Sequence, residues 1–227
     1  MRSQEMSSLI KTLERIYGTP KPERCDAEGE NCFQDTLLDE LVGTILSQNT
    51  TDNNSSLAFQ SLKTAFPAWD DVLNAPTEVV AKAIYQGGLS NQKAARIQAI
   101  LRHLKETTGS LGLDFLAEKS SDEVLEYLLS FNGVGIKTAA CVLLFGLGRD
   151  ICPVDTHIHR ILNRLGVLAT NHPDETFTIL QPLIPMGKAY SIHINLIRHG
   201  KRICKAQNPN CTKCLLAERC KYARDRD

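Results

Sequence analysis

The sequence predicts an all-α protein, and three observations carry that expectation. Apolar residues recur at helical spacing through most of the chain after residue 35, Pro, Gly and Asn punctuate the segments, and no two neighbouring segments read as a strand pair. A short N-terminal helix is followed by residues 20–35, PKPERCDAEGENCFQD, whose two prolines, glycine and mixed charge read as a loop. TLLDELVGTILSQ, SSLAFQSLKTAF, TEVVAKAIYQ and NQKAARIQAILRHLKETTG follow as helices. Ser120, Ser121 and Asp122 form an N-cap cluster ahead of EVLEYLLSF. The segment IKTAACVLLFGLG reads as one buried helix, and DTHIHRILNRLGV as another with Asp155 or Thr156 at its start.

The 227 residues, 42% of them hydrophobic, suffice for one large domain or two small ones. No run approaches the roughly 18 apolar residues that span a bilayer, and MRSQEMSSLI lacks the apolar core of a secretory signal, so a membrane protein is not expected. The expected location is the cytosol, or the nucleoid of a prokaryote. Eight cysteines there argue for metal ligation, catalysis or burial over a disulfide framework. The zero net charge hides an asymmetry. Residues 1–150 hold 14 Lys and Arg against 20 Asp and Glu, whereas residues 151–227 hold 12 against 6. A polyanion would dock on the second part.

Between EVLEYLLSF and IKTAACV the chain turns through FNGVG, giving a helix–hairpin–helix. Gly133 and Gly135 permit a tight turn and a close approach to another surface, and the amides that open the second helix attract an anion such as phosphate. Lys137 follows in the first turn, where a positive charge opposes the helix dipole. A lysine whose charged form is disfavoured is a better amine nucleophile; a solvated or phosphate-contacting lysine is the plainer reading. Asp155, at the mouth of its helix, can be an N-cap and can also stabilise a developing sugar cation.

Cys204, Cys211, Cys214 and Cys220 form C-x6-C-x2-C-x5-C in a short polar stretch. Four thiolates there suit a [4Fe–4S] cluster, whose bulk fits the wider loops, while a tetrahedral zinc stays open. His157 and His159 read as packing or hydrogen-bonding residues, and His199 as a support of the cysteine loop. Cys141 and Cys152 read as buried small hydrophobes, and Cys25 and Cys32 could pair or bind a metal but read more plainly as loop cysteines.

GVGIKTA, PVDTHIHR eighteen residues on, and the four-cysteine loop together resemble the endonuclease III branch of the helix–hairpin–helix DNA glycosylases. The resemblance runs from LVGTILSQNTTD to the last cysteine. It implies a six-helix barrel over 35–149, with the hairpin at about 122–147, and an iron–sulfur domain formed by 1–34 plus 150–227, with the cluster loop at 204–220. The active site is expected in the cleft between the two. The family's catalytic lysine falls on Lys137, its aspartate on Asp155 and its cluster ligands on the four cysteines. QGGLSNQKA matches the loop that inserts a wedge into DNA, with Leu89 as the wedge. Three departures are visible. The family's Leu-Pro before the hairpin glycines is Phe131-Asn132; its gap-filling glutamine appears as Asn49, with Gln48 beside it; and its basic x6 loop retains only Lys205.

The expected activity is therefore that of a monomeric bifunctional glycosylase and AP lyase acting on double-stranded DNA with oxidised pyrimidines or abasic sites. A mismatch-specific thymine or uracil glycosylase is the rival within the family. A non-catalytic DNA-binding module with a structural metal is the rival outside it, and the joint presence of Lys137 and Asp155 argues against that one.

Overall fold

The computed structural model describes residues 2–21 and 36–225, and among them every regular element is helical. Cys25 and Cys32 lie outside the described residues. The chain forms two compact units, one made of Met1–Pro22 with Arg149–Asp227 and the other of Glu23–Gly148. Among the described residues no helix is long and apolar enough to cross a membrane.

The second unit holds α2 (Leu37–Ser47), α3 (Asp52–Ala65), α4 (Trp69–Asn74), α5 (Thr77–Ala83), α6 (Ser90–Thr108), α7 (Ser121–Leu129) and α8 (Ile136–Cys141). Thr36 starts α2 with a capping box, its hydroxyl accepting from the Asp39 N–H while Asp39 accepts from the Thr36 N–H. Leu38, Leu41 and Ile45 on one face of α2 are fully buried, as are Leu62 of α3 and Ile97 and Leu101 of α6. Each such side chain contributes about 1.5–3 kcal/mol by leaving water, so Leu41→Ala should cost about 2–5 kcal/mol.

The first unit holds α1 (Arg2–Tyr17), α9 (Thr156–Leu165), α10 (Pro173–Leu180), α11 (Ala189–Arg202) and α12 (Lys221–Arg224). Here α11 packs on both α1 and α9. Glu14 of α1 accepts from Lys188 Nζ at 2.8 Å and Ser191 Oγ at 2.7 Å, which ties the N-terminal helix to the start of α11.

The predicted single helix over IKTAACVLLFGLG is a correction. After Cys141 the chain widens into a π-helical turn, Val142–Gly146, in which Leu147 N–H reaches the Val142 carbonyl at 3.0 Å. Such turns occur mostly singly and often at functional sites. Gly146 faces Leu37 and Glu40 of α2, and a Cβ there would sit 3.5 Å from Glu40 Cγ and closer still to Leu37. The turn and its glycine together make room for α2.

Candidate active site and cysteine loop

A second capping box starts α7: Ser120 Oγ accepts from the Glu123 N–H at 3.3 Å, and the Glu123 carboxylate accepts from the Ser120 N–H at 2.8 Å. The hairpin then turns on two buried side chains, Phe131 and Val134. Phe131 stands edge-on to His103 and Tyr127, with ring centroids 5.5 and 5.3 Å away, so an aromatic contact occupies this corner. Gly133 has φ +81°, and Arg96 fills the space that a Cβ would occupy, so both conformation and packing demand glycine. Gly135 differs. Its φ is −97°, nothing lies within 4 Å of where its Cβ would be, and it caps α8 without a side chain. The first N–H groups of α8 have no partner within the helix, and Gly135 ahead of them is exposed. Lys137 is the second residue of α8 and is half-buried.

The side chain of Gln48, predicted to face DNA, is turned into the protein. Its Nε2 donates to Thr138 Oγ1 at 3.2 Å and toward the Gly133 carbonyl at 3.4 Å, while its Oε1 accepts from Arg96 at 2.7 Å. It thus braces the hairpin next to Lys137. Asn49 is exposed in a left-handed conformation, φ +54°. Leu89 is also left-handed, φ +49°, and 49% exposed, so it is not a core residue. Lys93 joins the last turn of α2, just ahead of Asn49, to the 3-10 turn just ahead of Leu89: buried to 2% exposure, its ammonium donates to the carbonyls of Leu46 at 2.6 Å and Gly87 at 2.8 Å. Burial, and then the charge of Arg96, pushes its pKa down.

Glu40 was not singled out in the sequence. It is 9% exposed on α2, a helix that packs on α8, its side chain lies beside Gly146 of the π-helical turn, and it accepts from Thr44 Oγ1 at 3.2 Å. Burial pushes its carboxyl up to about 7, opposed by the Thr44 hydroxyl and by the charge of Lys137. The signals that would have found Glu40 and Lys93 are of one kind. Each is a charged residue inside an apolar helical stripe, Glu40 between Leu37 and Leu41, and Lys93 four residues before Ile97.

In the other unit Asp155 is the N-cap of α9, its Oδ1 accepting from the Ile158 N–H at 2.8 Å. Two arginines farther along α9 hold the start of the cysteine loop. Arg160 donates to the Cys204 carbonyl at 3.1 and 2.7 Å, and Arg164 donates to the carbonyls of Lys205 and Ala206 at 2.7 and 2.8 Å and to Cys204 Sγ at 3.4 Å. The Lys205 side chain is exposed. Cys204, Cys211, Cys214 and Cys220 all line one small pocket, together with His199 and Tyr222. Among the described residues no three His, Cys, Asp or Glu side chains are gathered closely enough to ligate one ion. Burial raises the Cys214 pKa, the Leu216 N–H lowers it, and the charges of Cys204, Cys220 and Cys211 raise it further. His199 is buried, Nε2 lies 3.7 Å from Cys214 Sγ, and Nδ1 is 2.9 Å from the Tyr17 hydroxyl. His157 packs on Gly200, His159 is 2.7 Å from Thr176 Oγ1, and Cys141 and Cys152 are buried. The structure thus gathers Gln48, Asn49, Leu89, Gly133, Gly135 and Lys137 in one unit, and Asp155, Lys205 and the four cysteines in the other.

A family model described as HhH-GPD superfamily base excision DNA repair protein matches residues 42–186. The chain belongs to this superfamily. Endonuclease III of Thermotoga maritima is 38% identical over 186 residues that cover 82% of this chain and 83% of that protein. A protein of Arabidopsis thaliana described as a candidate DNA glycosylase is 42% identical over 191 residues; the match covers 84% of this chain and 64% of the plant protein. Among solved structures, a non-covalent endonuclease III–DNA complex superposes with a TM-score of 0.80 at 24% identity, covering 99% of this chain and 97% of that one. A thermostable thymine-DNA glycosylase superposes at 0.75 with 23% identity over 99% and 97% of the two chains. The chain therefore has the all-α HhH-GPD fold.

Proposed function

We propose that the chain is a bifunctional DNA glycosylase and AP lyase of base excision repair, acting on double-stranded DNA that carries oxidised pyrimidines or abasic sites. The observation that carries this reading is a half-buried Lys137 in the first turn after the hairpin, beside a buried carboxylate, in an HhH-GPD chain.

Gly133 and Gly135 bring the backbone amides of the hairpin against a phosphate, and Leu89 enters the duplex when the damaged nucleotide rotates out. Asn49, just past the last turn of α2 that Lys93 ties to the turn ahead of the wedge, faces the vacated position. The Lys137 amine attacks C1′ of the sugar, the C1′–N bond to the base breaks, and a Schiff base follows. Loss of a proton from C2′ then expels the 3′ phosphate and nicks the strand. Asp155 stabilises the positive charge that develops on the sugar.

The C-x6-C-x2-C-x5-C spacing and the convergence of all four cysteines on one pocket support a [4Fe–4S] cluster as the bound group. The wider x6 and x5 loops suit the bulk of a cube of iron and sulfide, and four soft thiolate donors suit iron. Cys204, Cys211, Cys214 and Cys220 would hold it. When bound, the cluster supplies a rigid, redox-capable cross-link among four thiolates. The proposed setting is the cytosol or nucleoid, with the enzyme monomeric.

The test is incubation with duplexes bearing an oxidised pyrimidine, uracil, a G·T mismatch or an abasic site, with borohydride present to reduce any Schiff base. Wild type should be trapped on oxidised pyrimidines and abasic sites, and Lys137→Gln should not. Absence of a covalent product on every duplex would overturn the reading, while trapping on the mismatch alone would replace the substrate class.

A further inference from the structure

The reading above leaves open what removes the proton from Lys137, since a lysine is an ammonium at neutral pH and an ammonium has no lone pair for C1′. Glu40 is the carboxylate whose placement answers this. It sits on α2, which packs against α8, the helix of Lys137, and its side chain meets Gly146 of the π-helical turn; it is near enough to Lys137 to feel that residue's charge. Gly146 in that turn leaves space for the Glu40 side chain, which any larger residue would crowd. Among the described residues its hydrogen-bond partner is Thr44.

We propose that Glu40 takes the proton that Lys137 loses on becoming a nucleophile. The N–H bond of the ammonium breaks, the proton passes to a carboxylate oxygen of Glu40, and the electron pair stays on Nζ. An ammonium and a carboxylate become an amine and a carboxylic acid, with no net change of charge. No ion pair within 4.0 Å joins the two side chains, so the proton crosses after a turn of the lysine rotamer or through one bridging water. When DNA covers the site and water leaves, the neutral pair is favoured over the charged one, because burial penalises both charges and neither form loses a proton to solvent. Glu40 thus acts through Lys137, as a positioning residue for its proton.

The other charged groups on neighbouring elements are already engaged or distant in role. Asp39 on α2 pairs with Lys63 of α3 at 3.1 Å, Asp52 opens α3, Lys93 of α6 is held by two carbonyls, and Arg96 of α6 is held by Gln48. The π-helical turn, VLLFG, carries no titratable side chain. Burial, against the opposing pull of the Thr44 hydroxyl and the Lys137 charge, places the Glu40 carboxyl at about 7, where it can accept a proton and release it again at neutral pH.

The inference rests on Lys137 being the nucleophile, and the experiment separates the two. Borohydride trapping is measured in single turnover on a preformed abasic duplex from pH 5.5 to 10 for wild type, Lys137→Gln, Glu40→Gln and Thr44→Val. Wild type should rise through about pH 7, as Glu40 ionises, and then level. Glu40→Gln should trap at least about tenfold more slowly at pH 7 and gain about tenfold per pH unit until it nears wild type. Thr44→Val, which removes the hydroxyl that favours the ionised carboxyl, should move the wild-type rise to higher pH; a packing role would not produce that shift. A Glu40→Gln profile with the wild-type shape, whatever its height, would overturn the inference, as would an unmoved rise in Thr44→Val. Wild-type trapping by Lys137→Gln would instead overturn the nucleophile and leave Glu40 without a task.

Discussion

The helices that carry the two proposed reacting groups are supported in opposite ways. Lys137 rides on α8, whose Thr138, Ala139 and Ala140 are buried and whose first turn is braced by Gln48 and, behind it, Arg96. That support is ordinary protein packing and is complete in the chain itself. Asp155 rides on α9, whose farther turns hold a loop of short 3-10 turns in which Leu216 is the buried aliphatic side chain. Such a loop buries too little apolar surface to offset the entropy of ordering it. One half of the chemistry is thus preorganised by side chains, and the other leans on whatever the four cysteines hold.

The largest effect should come from breaking the second support. In Cys214→Ala, amide exchange over residues 204–220 and the last turn of α9 should rise at least about a hundredfold, roughly 3 kcal/mol of local protection, while α6 to α8 keep theirs. Equal losses in α8 and α9 would erase the distinction between the two helices.

On the α8 side the sensitive point is Glu40. Its folded pKa of about 7 exceeds the ordinary 4.5, so the folded state holds the proton more tightly than the unfolded one. That contribution is present below about pH 4.5 and is lost as pH rises to 7. Glu40→Gln should therefore melt with wild type near pH 4 and become more stable by up to about 3 kcal/mol at pH 8. Melting curves at the two pH values decide it; a constant difference would mean that the carboxyl is solvated.

Asp155→Asn should lower single-turnover nicking about a hundredfold while the melting temperature stays put, because asparagine caps a helix as well as aspartate does. Loss of stability without loss of rate would leave Asp155 as a cap alone. Smaller again is Gly133→Ala, expected to cost about 1–2 kcal/mol, since alanine resists φ +81° and displaces the Arg96 side chain that holds Gln48. Urea unfolding measures it, and a neutral result would make the brace on α8 dispensable.

Much of this was readable from local chemistry. The helical spacing, the Ser120 cap, the hairpin glycines, the N-cap at Asp155 and the four cysteines all depend on residues a few positions apart, and the structure has the all-α class that they imply. What escaped is non-local. A buried lysine is tolerable only because Lys93 finds carbonyls 47 and 6 residues away. Gln48 reads as surface until Arg96, 48 residues on, and Thr138, 90 residues on, claim both ends of its amide. The π-helical turn hides in an apolar run whose period cannot distinguish it from an α-helix; where it stands, α2 packs on Gly146, a neighbour more than a hundred residues away in sequence.

Leu89 and Asn49 both sit in left-handed backbone, a conformation that glycine adopts freely and that costs a leucine roughly 1–2 kcal/mol. The free protein carries that load continuously, whether or not DNA is present. If Leu89 is the proposed wedge, position 89 is a place where stability and handling of damaged DNA pull in opposite directions. Glycine there would ease the backbone and remove the side chain proposed to fill the duplex, so heat tolerance would have to come from elsewhere in the fold.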